Sequence, residues 1–544
     1  MKLDTLSAIA ASAFVWLVAC PTLAIDKETT PTDFAISSIC KVEAHVAPGG
    51  GPHITIQDGM GTGGFPVRTT SRDAQRWFDY GLKLFHAFYH EDARRAFDRA
   101  VAADPHCAMC LWGQALSRGA NQNFDTSDDD VKQGLAMANK ALAASRTTRE
   151  RALAQSLIRR YSRARDVAAE RDFSADLLKA DSKTVDIKLV AAEALLIAWR
   201  RGDKGDKNNK AFAQQAMALI EPILRKQPEN AAAIHYYIHA TEMAGQAPLA
   251  LPYAEKLARL APRASHLVHM AAHTFIHVGR YEDAATINAF ALRVDAQHLT
   301  DTGKAGPVSA ADYYSHNLVF GMAGSLLSGD RALGLKFADH VHRAYAESDF
   351  AKDGQSFLEA RRFVAYARFD PDRMLTLPEP VAEGSETISS WHYARGEAYA
   401  AHHDAAGVAR EMALVTGDAP EMVVARGVLA GRIAMLQGHY AQAAKDFEEA
   451  AEKQDAMIEG FDPPPWWYPV RRSAAAAWLL DGQYDKAAEA ATTSLRKWPG
   501  DPMALLIRSR AEDGQGHAAD ARHDEASAIG DWLGDLGKVD VMVI

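Results

Sequence analysis

Histidine is the residue type to begin with, because a neutral imidazole is both a transition-metal ligand and a buried hydrogen-bonding group. His235, His239 and Glu242 stand at i, i+4 and i+7, which is one face of a helix. His266, His269, His273 and His277 follow, and at about 100° per residue they fall within an arc of roughly 80°. His235 to His269 is 34 residues, and His239 to His273 is also 34. Side chains at i and i+4 stand about 5–6 Å apart, and neighbouring helices pack at about 8–10 Å. If the two segments are adjacent parallel helices, the imidazoles of His235, His239, His269 and His273 can converge on one ion or bracket two. Glu242, His266, His277, His316 and Asn317 are the further candidates, as additional ligands or as supporting groups.

An all-nitrogen site with one carboxylate suits copper, iron or zinc, whereas calcium and magnesium take oxygen donors. The lack of convergent thiolates argues against a structural zinc knot. The expected cofactor is a divalent transition metal, copper or iron before zinc. Copper or iron with an open position points to oxidative chemistry, so a metal-dependent oxidoreductase is favoured over a hydrolase if the site is catalytic. Zinc would point to hydrolysis by a metal-bound water, with Glu242 as the base. Two other uses stay open: histidines that hydrogen-bond a peptide or polar ligand, and a buried polar network that only packs.

No Gly-x-Ser-x-Gly, His-Glu-x-x-His, phosphate loop or dinucleotide fingerprint occurs, so the familiar hydrolase, zincin, kinase and dehydrogenase classes lose weight. Asp and Glu total 70 against 60 Lys and Arg, a formal charge of −10 with no basic block, which disfavours a nucleic-acid partner. With 48% hydrophobic and 24% charged residues over 544 positions, the composition is globular rather than disordered.

After Lys2, the segment Leu6 to Ala19 is largely apolar for 14 residues, too short to span a bilayer and placed as a signal-peptide core. Leu17-Val18-Ala19-Cys20 resembles a lipoprotein box, and Thr22-Leu23-Ala24 resembles a small-residue cleavage site. Residues 1–24 are therefore expected to be removed or lipidated. The mature protein is expected in the periplasm, either soluble or held to a membrane only through lipid on Cys20. That leaves Cys40, Cys107 and Cys110. Cys107-Ala-Met-Cys110 reads either as a redox or soft-metal pair or as one end of a structural bridge from Cys40, and the bridge is the expectation.

From Ala74 the chain sets Trp77, Tyr80, Gly81, Leu84, Ala93, Phe97, Ala100 and Pro105 at positions 4, 7, 8, 11, 20, 24, 27 and 32 of a 34-residue unit. This resembles the tetratricopeptide repeat. The frame recurs from Ala231, Ser265, Val424 and Tyr468, with weaker copies near Ala108, Arg149, Lys188, Ser315, Trp391 and Pro502. Longer stretches are similar to an exported bacterial multi-repeat family of unsettled function: Met60-Gly61, Phe88-Tyr89-His90-Glu91-Asp92-Ala93, Asp104 to Gly113, His266 to Met270, Tyr314-Ser315-His316-Asn317 and Pro463 to Arg471. Where that family reads Gly-Pro-Asn-Ile-Asn this chain has Gly119-Ala120-Asn121-Gln122-Asn123, and where it reads Met-Pro-Ser-His this chain has Met270-Ala271-Ala272-His273.

The resemblance implies an all-α, right-handed superhelical solenoid of about ten helical pairs. It also implies that the first helix of each pair lines a concave groove, into which positions 2, 5, 9, 12 and 13 point. Those positions hold the histidines named above. Residues 25–70 read as a Gly-rich irregular arm, 71–346 as an N-terminal array with the His-rich groove, and 347–544 as a C-terminal array. Trp112, Asn121, Asn123, His392 and Arg472 are groove candidates for ligand contact, each with an ordinary packing, capping or salt-bridge alternative. His86 lies at position 13 of its unit and His90 in the next turn. The function expected is a solenoid with a metal site in its groove, acting on a small-molecule or peptide ligand. The alternative is a periplasmic scaffold that binds a peptide or partner protein without catalysis.

Overall fold

Capping side chains set where the helices start. Ser71 accepts from the Ala74 N–H, Asn230 from that of Ala233, and Thr147 forms a reciprocal capping box with Glu150. Left-handed backbone sets the turns inside the pairs. Gly245, Gly279, Gly329, Gly438, Gly482 and Gly516 have φ between 70° and 85°, a region glycine enters without a Cβ penalty. In the first pair the same place is taken by Phe88, at φ 62°.

The computed structural model describes residues 53–203, 207–304, 308, 311–347, 355–380, 385–457, 463 and 466–544. Cys20, Cys40 and the expected signal segment lie outside them. Among the described residues there are helices and loops but no strand. With Ser265–His269 and Ala271–His277 counted as one interrupted helix, twelve helical pairs follow one another from Arg72 to Asp531. The sequence frame leads to fewer because the pair Gln355–Phe369 and Pro371–Thr376 has a second helix of only 6 residues, too short to display the repeat pattern. The chain is an all-helical solenoid of the tetratricopeptide-repeat kind, and Ala231 and Ser265 open their helices where the frame places position 1.

Small residues let the helices close on aromatic wedges. A Cβ on Gly81 would stand 2.7 Å from the Phe97 ring, and one on Gly113 only 2.4 Å, so Phe97 fills the space between two successive first helices. Phe337 against Gly321 and Phe447 against Gly431 repeat the device, at 2.1 Å and 2.6 Å. Two large apolar cores result. They meet on Tyr281–Asp301 and Tyr314–Ser328, whose residues contribute to both.

The superhelix is wound tightly enough for distant pairs to touch. The Tyr89 hydroxyl accepts from the Ser265 N–H at 2.9 Å, and His298 Nε2 pairs with Asp92 at 2.8 Å. Tyr281 donates to the Pro499 carbonyl at 2.9 Å, and the Leu533 N–H donates to that of Ser328 at 2.9 Å. Residues 53–70 of the N-terminal arm add a strap without helix or strand. Its Gly59 carbonyl accepts from the Arg263 N–H (3.0 Å), Thr62 bonds Asn230 (2.9 Å), and the Gly64 N–H bonds Asp186 (3.0 Å). The first pair and the strap thus cover the groove that the sequence reading leaves open in front of the fifth and sixth pairs. No helix among the described residues is long and apolar enough to cross a membrane.

Gly113→Ala should lower stability by about 1–3 kcal/mol, because the new methyl must displace a fully buried ring. In a Phe97→Leu background the same change should cost clearly less. Denaturant unfolding of the four proteins of that double-mutant cycle checks both statements.

Candidate metal centre

Three first helices carry the histidines. His235 and His239 stand on Ala231–Met243, His266 and His269 on Ser265–His269, His273 and His277 on Ala271–His277, and His316 on Tyr314–Ser328. The sequence reading treats His266 to His277 as one face of one helix, whereas the helix is interrupted at Met270, which caps both segments. His235, His266 and His269 have no solvent exposure, and His239 and His273 keep 2% and 4%.

The imidazoles separate into two triads, His235, His239 and His266 in one and His269, His273 and His316 in the other. Within each triad one ligand atom from every residue lies within 4.8 Å of the others. The same holds for His239, Glu242 and His273, which bridge the two. The four histidines expected to converge on one ion or bracket two are therefore divided two and two, with His266 and His316 completing the sets. The 34-residue offset does bring His239 beside His273, their rings 5.4 Å apart. His235 instead turns to His266, at 4.9 Å.

Fixed acceptors decide which ring nitrogens carry protons. His235 Nδ1 donates to the His86 carbonyl at 2.7 Å, leaving a lone pair on Nε2, which faces His266 Nε2 at 3.1 Å. Asn288 gives its amide N–H to the Ala284 carbonyl, so its Oδ1 must accept from His269 Nδ1, at 2.7 Å. His273 Nδ1 donates to both Glu242 oxygens, at 3.0 and 3.2 Å. The Nε2 atoms of His269 and His273 then face each other at 3.0 Å, where the lone pair of His269 meets a nitrogen that must carry a proton or share a cation with it. Buried and without a hydrogen-bond partner among the described residues are His239 Nε2, His266 Nδ1 and His316 Nε2.

Protonation is the costly way to satisfy these nitrogens. Burial pushes His235 and His316 down to about 3, and it pushes His239, His266 and His269 well below the usual imidazole value, with neighbouring histidines adding to the effect. Burial opposes ionisation of Glu242 too, yet His273 and His277 hold it well below the usual carboxylate range. Aromatic rings complete the walls. Phe88 lies 4.5 Å from His235 and 5.0 Å from His266, Phe320 4.6 Å from His269 and 4.5 Å from His273, and Tyr313 4.2 Å from His266. Exposure rises along one edge, from 5% for the His273 side chain through 13% for Glu242 to 37% for His277, and His316 is also only half-buried.

The remaining candidates lie elsewhere. Asn317 donates to Ser265 and Asp295 behind the cluster, at 3.0 and 2.8 Å. Trp112 is buried and its indole N–H donates to the Leu153 carbonyl, so it packs between helices and offers no face to a ligand. Asn121 closes a turn by accepting from the N–H groups of Asn123 and Phe124, and Phe124 lies against Tyr313. His392 and Arg395 share Glu411, and the buried Arg472 pairs with Asp501 at 2.9 Å over the Tyr468 ring. Their charges are met within the fold. Cys107 bonds Cys110, which corrects the bridge expected from Cys40 to one of them: three residues apart across a helix start, the two sulfurs are already neighbours. His86 and His90 stand beside the cluster as support, His86 between Tyr236 and Asp186 and His90 stacked on Phe85. Phe88, Asn288, Tyr313 and Phe320 carry no sequence signal of their role, since groove positions are read from first helices alone and aromatic residues there are the commonest core.

The chain matches no protein-family model and no curated protein. Among solved structures it is similar to a monomeric IFIT1 mutant with m7Gppp-AAAA, at 12% identity and a TM-score of 0.34, over 91% of this chain and 99% of that one. It is also similar to the APC/C hetero-tetramer Cut9-Hcn1, at 14% identity and a TM-score of 0.30, over 82% and 78%. A third likeness is the P58(IPK) TPR domain, at 16% identity and a TM-score of 0.20, over 82% and 99%. At these values none of them bears on what the cluster does.

Glu193 provides a pH test next to the site, since its carboxylate accepts from Tyr236, the neighbour of His235, at 3.3 Å. Burial pushes it up to about 8 despite the opposing pull of Arg160. Its contribution to stability is therefore complete below the unfolded value of 4.5 and is lost as the pH rises toward 8. Thermal melts of Glu193→Gln between pH 5 and pH 8 should decline less steeply with rising pH than those of the parent.

Proposed function

From the premise that this chain is a tetratricopeptide-repeat solenoid enclosing six histidines, we propose that it is an exported metalloprotein. Its cluster holds copper or iron for oxidative chemistry. The observation that carries this reading is the pair of enclosed triads, in which His239 Nε2, His266 Nδ1 and His316 Nε2 are buried without a hydrogen-bond partner among the described residues and His269 Nε2 stands 3.0 Å from His273 Nε2. Two nitrogens bonded to one ion at about 2.0–2.1 Å stand 3.0 Å apart when they subtend roughly 90–100°, an ordinary angle for neighbouring ligands. Asn288, Glu242 and the His86 carbonyl then do what outer-shell partners do in metal sites, fixing the tautomer and aiming the ring. A bound transition metal would supply redox chemistry or a polarising charge. The protein's own residues orient the ligands, keep water out through Phe88 and Phe320, and leave one polar edge at Glu242 and His277. Each triad supplies three nitrogens, short of the four that close a structural zinc site. The leader-like Leu6 to Ala19 supports a periplasmic location, with Cys20 as a lipid attachment point.

A second reading, a periplasmic scaffold that binds a peptide or partner protein, is favoured by the C-terminal array. There Ile544 is buried, and its carbonyl oxygen accepts from Arg432 at 2.9 Å and from Ser473. That array therefore already grips the chain's own C-terminal segment, which runs through short 3-10 turns at Leu536–Lys538 and Val541–Val543, while the histidines, being enclosed, touch no such ligand.

Elemental analysis of untagged protein exported to the periplasm separates the two. The parent should carry copper or iron, and His269→Ala/His273→Ala should lose the share that the His269, His273 and His316 triad holds while keeping its helical circular dichroism. A parent that stays metal-free after reconstitution sinks the metalloprotein and leaves the scaffold. His277→Ala should slow metal uptake by the apoprotein several-fold with no change in final content, because it alters the edge and not the triads; stopped-flow loading measures this.

A further inference from the structure

We propose that the ion of this cluster is ferrous iron held by His239, Glu242 and His273, with open positions toward the edge at His277. The proposal names the metal and the ligands of the metalloprotein reading and rests on it.

The ligands follow from charge. Each of the three residues offers one ligand atom, and the three atoms lie within 4.8 Å of one another, as they do in the two all-histidine triads. Of these groupings this one contains an acid. Imidazoles ligate as neutral groups, so a dication bound by three of them keeps its full charge in a buried place, whereas Glu242 cancels half of it. His239 contributes a buried Nε2 that has no hydrogen-bond partner among the described residues. It stands three residues before Glu242 on Ala231–Met243, so one turn of one helix aims both. His273 comes from the next first helix, its ring 5.4 Å from that of His239. The grouping draws one histidine from each triad, so an ion bound there leaves two histidines of each as its surroundings.

Proton positions accommodate this ligation. His273 Nδ1 stands 3.0 and 3.2 Å from the two Glu242 oxygens. When Nδ1 binds the ion, the ring carries its proton on Nε2. His269 Nε2 lies 3.0 Å from that atom and can accept, because its own ring donates from Nδ1 to Asn288. His277 Nε2, 3.3 Å from Glu242, holds the ligating carboxylate from outside.

The metal follows from the donor set and its spacing. Two imidazoles and one carboxylate with positions left open are the set that suits non-haem iron(II), whereas cupric ion prefers a tetragonal plane of four. The same donors serve catalytic zinc, which is tetrahedral. Atoms 3.0–3.2 Å apart on bonds of about 2.1 Å subtend roughly 90–100°, the angle between neighbouring octahedral positions, while a tetrahedral ion sets them about 3.4 Å apart. Access comes from the same side as the acid. The Glu242 side chain is 13% exposed and that of His277 37%, so a small ligand reaches the open positions along that edge.

The test is an anaerobic titration of the full-length, metal-free protein with ferrous ion, followed by nitric oxide as the probe of open positions. The parent should bind one iron per chain, and nitric oxide should give the high-spin paramagnetic signal of a ferrous nitrosyl. His239→Gln and Glu242→Gln should weaken iron binding by about a hundredfold or more, whereas His235→Gln and His316→Gln, which belong to the triads alone, should change it by less than about tenfold. Should a variant fail to fold by circular dichroism, X-ray absorption of the ferrous parent decides, since imidazole scattering counts two rings for this grouping and three for a triad. Three rings, or iron lost from His235→Gln or His316→Gln and kept by Glu242→Gln, overturns the ligand set and leaves the metalloprotein standing. Zinc or copper bound with no affinity for ferrous ion overturns the metal, and a ferrous protein silent to nitric oxide overturns the open positions. No metal of any kind overturns the reading beneath it.

Discussion

Much of the architecture around the fifth to seventh pairs turns on a mismatch between donors and acceptors. In the enclosed core, three ring nitrogens already have their proton directed outward, His235 to a backbone carbonyl, His269 to Asn288 and His273 to Glu242. What remains inside includes His239 Nε2, His266 Nδ1 and His316 Nε2, buried without a hydrogen-bond partner among the described residues. A protein satisfies buried polar groups almost everywhere, so a concentration of unsatisfied acceptors of one kind marks a place where something else supplies the positive charge. Protonation is an expensive supplier, because an imidazolium there would be buried among other imidazoles.

The repeat is what makes such a concentration buildable. Each first helix presents the same register, and glycines opposite Phe97, Phe337 and Phe447 let successive helices come close without strain. A histidine placed at one register position in two neighbouring units is then placed at one layer of one wall, with no long loop to position it. The second helices supply the outer support, as Asn288 does from Tyr281–Asp301. The tight winding finishes the enclosure by bringing the turn of the first pair, with Phe88, onto histidines that lie about 150 residues farther along the chain. An extended groove for a peptide would need that turn elsewhere.

The fold was legible because its signals are local. The 34-residue spacing of Gly81, Ala93 and Phe97 is a packing rule written in sequence, and the frames from Ala231 and Ser265 start their helices where expected. The histidine wall was legible for the same reason, since register on a first helix can be counted. Partner choice within the wall could not be counted. Whether His235 meets His269 or His266 depends on the interruption at Met270 and on the rotation between neighbouring units, neither of which a residue type announces. The groove candidates outside the wall, Trp112, His392 and Arg472, each had a plain packing or ion-pair alternative. Burial decided for it, because a buried guanidinium beside Asp501 or an imidazole beside Glu411 is already neutralised.

Phe88 links the turn geometry to the enclosure of the histidines. The intra-pair turn needs a left-handed residue, and six other pairs supply glycine there, while the first pair supplies a bulky aromatic at φ 62° and the third and ninth supply Arg165 and His403, at 70° and 57°. A side chain in that region costs on the order of 1–2 kcal/mol, so local preference alone would replace it. The ring that this backbone carries stacks over His266 and meets His235 edge-on, closing the first triad from the side where the superhelix returns on itself. Strain at a turn that any glycine would relieve is retained only where the surrounding structure over-determines it. Here the ring is held between the first pair and the cluster it covers, which makes the enclosure of the histidines, and not the turn itself, the feature that the local sequence serves.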